Sequence, residues 1–353
     1  INHRLVAVGH QMAPQAAKAV RGDGFVVQTN IHYPTDSSLL ADGLRHVIRL
    51  SAKLAEALGA DGWRQHRHLH KRVKQLTRRI SSVARKKGPN YRERLRQPYQ
   101  ELLALTQSLL TRATDLHDQA LVALRTTAET TLSLLLADLT YYLSISEHVR
   151  DQAQRRVIDG EQVPNSQKVF SIYEPDTELI KRGKTPNPIE FGHRVLLFED
   201  AAGFICHYTV LDIGVEERSV GVEHFRQLQE RLDGKIQRAS LDRGFHSPDN
   251  QKAFAKLVAH PCLPKLGKQS TKSEEAIQFR QTRQWHPGVE SAIGALQSGN
   301  GLARCRDHSR IGYERYVGLG ILGRNLHVLG KLLLAAEAPN SQAAQSKRRR
   351  LVA

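Results

Sequence analysis

Three acids stand in segments suited to metal-assisted chemistry on a phosphate. Asp242 ends the strand-like run IQRASLD (236–242) and passes at once into Arg243-Gly244. Asp23 lies immediately before the β-branched run FVVQTNI (25–31), and Glu290 sits near the start of a helix in QWHPGVESAIGAL. Cleaving a phosphodiester calls for divalent ions that activate the attacking oxygen and stabilise the leaving one, and a pair of ions does both. Mg²⁺ or Mn²⁺ takes hard oxygen ligands and keeps several waters, so a few carboxylates suffice. Carboxylates brought together repel, and cations hold all three ionised. The triplet alone is weak, because the chain has 35 acids from which three can be chosen. An Asp at a strand end is also an ordinary turn former.

Such acids need a frame, and the chain offers an interrupted α/β pattern. After 25–31, YPTDSSLL supplies cap residues at 35–37, with Asp36 read as an N-cap, for a helix running to about residue 59. Leu69, Val73, Leu76, Ile80 and Val83 recur at the spacing of a coiled-coil seam or helical hairpin. Gly88-Pro89-Asn90 breaks that helix, and Leu102, Leu105, Leu109 and Leu116 begin another that continues towards residue 156. The pattern then changes. Residues 168–174, 192–200 and 203–212 read as strands, the last two joined by a turn at 201–203. A helix at 219–232, the strand 236–242 and a helix at 247–258 follow, the last capped by Ser247 with Pro248 in its first turn. A short strand at 262–266 and helices around 289–296 and 311–336 complete the series. The expectation is a discontinuous α/β domain, residues 1–35 with 165–337, interrupted by a helical, basic insertion at 36–160. Residues 338–353, ending SKRRRLVA, read as a basic disordered tail.

Charge narrows the partners. Fifty-two Lys and Arg against 35 Asp and Glu give a formal charge of +17, which suits a polyanion. Residues 64–96 hold 13 Lys or Arg against one acid, Glu93. A merely solvated helix mixes signs, so Arg67, Lys71, Lys74 and Arg78 are assigned to phosphate contacts on double-stranded DNA, strengthened at low pH by the histidines of RQHRHLHKR. No run approaches 18 apolar residues and no signal peptide is visible, so no membrane is expected. Cys206, Cys262 and Cys305 are scattered, as in a reducing cytoplasm. Cys206 beside His207 lacks the other two ligands of a structural zinc site and reads as one strand residue pointing in and one out. The chain opens INHRL without Met, so an upstream segment is expected.

The segments GDGFVVQTNIHYPTDSSLLADGLRHVIRL, EPDTELIKRGKTPNPIEFGHRVLL, LDRGFHSPDN and HPGVESAIGAL together resemble DDE transposases of bacterial insertion sequences, closest to the ISNCY family. The resemblance runs from about residue 20 to 335, in the family's order. It implies a ribonuclease H-like catalytic domain with a large helical insertion after the first strand, and a cut-and-join reaction on DNA. Carried over by position, Asp23, Asp242 and Glu290 are the catalytic metal ligands for two Mg²⁺ or Mn²⁺ ions, with Arg243, Arg283 and His286 on the DNA. The implied partners are transposon-end and target DNA and further copies of the chain, as a homodimer or larger complex at the bacterial nucleoid. Two departures stand out. Gly24 follows Asp23 where Ser or Thr is commoner, and Arg283 and His286 occupy the Tyr and Arg places of a Tyr-x2-Arg-x3-Glu signature. Gly24 and the start without Met motivate one alternative, a decayed or domesticated relative that binds DNA without cutting, and a metal nuclease that hydrolyses without joining is the other.

Overall fold

Period-two alternation along residues 19–28 builds the strand on which the sheet depends. Val20 faces one hydrophobic cluster, whereas Phe25 and Val27 face another. The structure, a computed structural model, describes residues 1–351 apart from 87, 125–129, 182–187, 266 and 268–273, and describes side chains only as far as 337. The chain divides into two units, residues 1–30 with 180–353, and residues 31–179.

In the first unit, α1 (Asn2–Met12) precedes β1 (Ala19–Gln28), and β2 (Glu178–Lys181), which straddles the boundary, leads to β3 (Ile189–Asp200) and β4 (Ile205–Val210). Then come α6 (Glu217–Arg231), β5 (Arg238–Leu241), α7 (Pro248–Leu257), β6 (His260–Cys262), α8 (Ile277–Trp285), α9 (Gly288–Gly299) and α10 (Ser309–Leu351). The six-stranded sheet is mixed, in the order β2-β3-β1-β5-β6, with β4 also on β3. β1 runs antiparallel to β3 and β3 antiparallel to β4, whereas β5 runs parallel to both β1 and β6. Helices cover both faces. Val222 and Phe225 of α6, Phe254 of α7 and Leu5 of α1 pack with Val20, Phe198 and Leu241. Val289, Ala292 and Leu296 of α9, with Tyr313, Val317 and Ile321 of α10, pack with Phe25, Val27 and Leu197. The fold is mixed α/β, and among the described residues the regular elements between its first and second strands are all helices.

The second unit holds α2 (Asp36–Leu58), α3 (His66–Arg85), α4 (Tyr91–Leu124) and α5 (Thr130–Ala153). Leu40, Leu44 and Ile48 of α2 bury against Val73 and Ile80 of α3, Leu102 and Leu109 of α4, and Leu136 and Leu139 of α5. The heptad seam is thus internal, with Leu69 and Leu76 packed on the same cluster. The single helix expected towards residue 156 is divided into α4 and α5, and 125–129 lie outside the described residues.

Several expectations change. Asp23 lies inside β1 rather than before it, because Gly22 and Gly24, which weaken a strand by pattern, sit where neighbouring side chains cross the backbone. Thr35 caps α2 through a reciprocal bond pair with Ser38, and Asp36 does not cap. The Asp36 carboxylate instead accepts from Arg156 Nη1 at 2.8 Å and from Gln152 Nε2 at 2.7 Å. Residues 168–174 form no strand and belong to the helical unit. Val169 N donates to Gln152 Oε1 at 2.7 Å, and Tyr173 and Glu174 N–H groups donate to Ser171 Oγ at 3.1 and 3.0 Å, so side chains satisfy what a ladder would. α10 continues as helix through most of the tail expected at 338–353, whose side chains lie outside the described residues. Its Ser309–Glu337 part is, by length and composition, long and apolar enough to cross a membrane, and Tyr313, Val317, Ile321 and Val328 within it are buried in the sheet unit's cores.

The helical unit contains an acid-sensitive group. His46 of α2 stacks on Tyr142 at 4.1 Å between ring centroids and meets Arg49 Nη2 at 3.0 Å. Burial first, then Arg49 and Arg45, lower its pKa from 6.5 to about 4. Between those values the unfolded chain takes a proton that the folded one refuses, so stability is full above pH 6.5 and falls as pH drops towards 4. Urea denaturation followed by circular dichroism at a series of pH values is expected to show this decline, and His46→Gln to lessen it, the remainder coming from other buried histidines such as His207.

Candidate functional site

The parallel register of β1 and β5 decides where two of the acids stand. The last paired residues are Gly22 and Leu241, and the next residues along each strand are Asp23 and Asp242. Neighbouring strands lie about 4.8 Å apart, so the two carboxylates start from adjacent backbone positions. Asp242 keeps an extended backbone, makes no side-chain cap bond, and leads into the 3₁₀ turn Arg243–Phe245. Its side chain therefore plays no part in forming the turn.

Asp23 shares its face of β1 with Arg21, Phe25 and Val27, and that face carries α9. Glu290 is in the first turn of α9, where the helix dipole favours an anion. Asp23, Asp242 and Glu290, together with Arg243, Arg283 and His286, line one open pocket of about 690 Å³. Six of the ten residues singled out from the sequence thus meet there. The other four, Arg67, Lys71, Lys74 and Arg78, are exposed along α3 in the helical unit.

The acids differ in their surroundings. Gly24 N donates to Asp23 Oδ1 at 2.7 Å, which fixes that carboxylate. Asp242 and Glu290 are exposed, and among the described residues neither carboxylate takes part in a hydrogen bond or ion pair. The three do not form a tight one-ion cage, since the one trio of ligand atoms found within 4.8 Å among the described residues lies elsewhere. A pair of ions about 3.5–4 Å apart needs the wider spread. All the acidic ligands are hard oxygens beside an open, water-accessible space, a donor set that fits Mg²⁺ or Mn²⁺ and not a soft metal.

Arg21 positions the corner that carries Glu290. Its Nε donates to Glu199 Oε2 at 2.7 Å and its Nη1 to the Trp285 carbonyl at 2.9 Å, while its guanidinium lies 4.7 Å from the Trp285 ring centroid. Arg238 also faces that ring, at 5.0 Å. α9 begins with Gly288 because a Cβ there would lie 1.9 Å from Arg21 Nη1. His286, between α8 and α9, shares a hydrogen bond of 2.9 Å with Ser240 Oγ through Nδ1. Burial lowers the His286 pKa, and Arg21 adds to this, while Asp242 and Glu290 oppose it.

Sequence reasoning missed Glu217. This acid of α6 lines the same pocket, and a Cβ on Gly24 would lie 2.7 Å from its Cγ and Oε1. The absent side chain after Asp23 is therefore what lets Glu217 reach the site. The visible signal was Glu216-Glu217 opening a helix, which is indistinguishable from ordinary first-turn acids. Arg21 and Ser240 gave no signal, because only the register brings them in.

No protein-family model, curated protein or solved structure matches this chain. What the pocket can do is set by its own chemistry: carboxylates for hard cations, with exposed arginines at 243 and 283 for an anionic substrate.

Glu199 is the buried counterpart that Arg21 holds most closely, with Arg324 Nη2 further off at 3.9 Å. Its side chain is 2% exposed, and burial raises its pKa against the pull of Arg21 and Arg324. Arg21→Met removes the 2.7 Å bond and leaves this carboxylate the longer 3.9 Å contact with Arg324, and the expected cost is about 1.5–3 kcal/mol. The measurement is urea denaturation read from Trp285 fluorescence in a Trp63→Phe background. Adding Glu199→Gln to Arg21→Met should restore part of the loss.

Proposed function

We propose that this chain is a DDE transposase, cleaving DNA at the ends of an insertion sequence and joining those ends to a target. The observation that carries the reading is the meeting of Asp23, Asp242 and Glu290, from three distant segments, in one open pocket of the sheet unit. The strand order adds support. Antiparallel β4-β3-β1 continued by parallel β5 and β6, with acids on the central strand, at the end of its parallel neighbour and on a helix, suits a ribonuclease H-like catalytic domain.

Asp23, Asp242 and Glu290 would hold two Mg²⁺ or Mn²⁺ ions, and Glu217 stands close enough to the pocket to orient a bound water. When bound, such ions activate the attacking oxygen and stabilise the leaving one. The protein's own part is positioning. Gly24 N–H fixes the Asp23 carboxylate, Arg21 holds the α8–α9 corner, and α9 presents Glu290 at its positive end. Arg243 and Arg283 meet the phosphates of the bound strand, which anchors the backbone without reading sequence. Neutral His286, held through Ser240, offers a hydrogen-bonding group beside Asp242. Hydrolysis leaves a 3′-hydroxyl on the cut strand, and that hydroxyl in turn attacks a target phosphorus, losing its proton and displacing the target strand's 3′ oxygen, which takes up a proton, without a covalent protein intermediate. Joining two ends needs two such sites, so a dimer or larger assembly on DNA follows from the reaction.

The test is cleavage and strand transfer with labelled element ends, target plasmid and Mg²⁺, comparing the wild type with Asp23→Asn, Asp242→Asn and Glu290→Gln. Each variant is expected to lose at least about 100-fold in rate, the scale of single electrostatic contributors, and chelation should abolish activity in the wild type. Binding without nicking by the wild type would favour a DNA-gripping relative. Ends with 3′-hydroxyls that never join target would favour a nuclease.

The α3 cations yield a separate expectation. If Arg67, Lys71, Lys74 and Arg78 contact phosphates, alanine at each should flatten the salt dependence of duplex binding by about 0.9 in the log–log slope. Fluorescence anisotropy across a salt series reads that slope directly.

A further inference from the structure

Away from that pocket, three side chains remote in sequence converge. His10 lies in the last turn of α1, Asp200 closes β3, and Cys206 is the second residue of β4. His10 Nε2 is 2.8 Å from Asp200 Oδ2, while Cys206 Sγ is 3.6 Å from the same oxygen and 3.9 Å from the same nitrogen. Asp200 and Cys206 are buried, and His10 and Cys206 border a pocket of about 410 Å³ that also reaches His3, Gln11 and Arg231.

The geometry distinguishes what such a trio can do. A nucleophile relay needs an imidazole that bridges its partners with two different nitrogens. Here both partners meet Nε2, so a relay is excluded. Asp200 Oδ1 already accepts from Ala202 N at 2.9 Å and Phe204 N at 3.0 Å, which is all the β3–β4 turn requires of it. Oδ2 is the oxygen turned towards His10 and Cys206. Zinc bonds of about 2.0–2.2 Å to nitrogen and oxygen and 2.3 Å to sulfur, at tetrahedral angles, set ligand separations of about 3.3 Å for N···O and 3.5 Å for each contact to sulfur. The observed triangle departs from these by no more than about 0.5 Å on any edge.

We propose that His10 Nε2, Asp200 Oδ2 and Cys206 Sγ form a zinc site, with the fourth position open to the adjoining pocket. Thiolate and carboxylate together cancel the charge of the dication, so the buried centre is neutral. Binding releases the thiol proton to solvent, and the imidazole binds as the neutral tautomer carrying its hydrogen on Nδ1. Thiolate and imidazole select zinc over Mg²⁺. The ion would clip α1 to the β3–β4 hairpin, joining the start of the chain to the far side of the sheet from β5. The site does not depend on the DNA chemistry proposed above.

The experiment uses the full chain, purified from zinc-supplemented medium and dialysed against metal-free buffer, with metal measured by mass spectrometry. Wild type, Asp23→Asn and Glu290→Gln are expected to retain one zinc per chain. Cys206→Ser and His10→Gln should weaken zinc by more than about 100-fold, beyond what outer-shell changes cost, and Cys262→Ser should not. Cobalt added to the metal-free wild type should give a thiolate charge-transfer band in the near ultraviolet. The proposal is overturned by folded wild type that holds no zinc and shows no such cobalt band, or by a zinc content that survives Cys206→Ser. The wild-type cobalt spectrum decides the matter even if a variant misfolds.

Discussion

The structure of the sheet unit depends on a mismatch in length between neighbouring strands. β1 pairs with β3 from Val20 to Gln28, but with β5 only from Ala19 to Gly22. Among the described residues no strand pairs with the β5 edge of β1 from Asp23 to Val27, before Gln28 is bridged by Arg304, and the open space begins at Asp23 and Gly24. A crevice at the carboxyl end of a parallel strand, where chain direction across the sheet changes, is the usual place for a ligand in an open α/β sheet. Here the crevice also opens to both faces. That is why Glu217, on the face of Gly24, and Glu290, on the face of Asp23, can border one pocket. Had β5 continued two residues further, its ladder would have covered the Asp23 backbone and held Asp242 within a strand.

How much of this the sequence revealed follows from how local each signal is. Ser247 with Pro248 announces α7 because cap and ring act within one turn, and the cap bond to Asn250 N is present at 3.1 Å. Asp242 and Glu290 were legible for the same reason, each marked by its own flanks. The register of β1 was not. FVV reads as the strand start because β-branched and aromatic residues favour strands, yet residues from Ala19 onward already pair with β3 and β5. Gly22 is tolerated in that early half because the Phe198 ring and Leu241 fill the space that its side chain would need. Residues 168–174 failed the other way: their apolar pattern suits a strand, but Val169 and Ile172 bury against helices. Periodicity reports that a face is buried and not what buries it.

The helical insertion is compatible with the sheet because it completes its own core. β1 and β3 pair although residues 31–179 separate them in sequence, and closing so long a loop costs only logarithmically more than closing a short one. An unstructured loop of that length would still have to find buried partners for its apolar residues. Here Leu44, Leu109 and Leu139 bury among α2, α4 and α5. The exposed face of α3 is then left to charge, so +17 overall is compatible with two packed units.

Two groups of potential ligands in one sheet unit raise the question of why they would not compete for the same ion. Ligand softness and water access separate them. The Asp23–Asp242–Glu290 pocket offers mainly carboxylate oxygens and is open, which suits ions that keep their waters. The His10–Asp200–Cys206 trio is largely buried and adds sulfur and nitrogen to a single oxygen. Mg²⁺ would have to shed most of its hydration to enter the second, with a thiol for compensation. Zinc in the first would find no thiolate or imidazole matched to it except His286, which is already engaged by Ser240. The same sheet thus presents opposite donor chemistry at two separate places, and the segregation requires no exclusion device beyond the residues themselves.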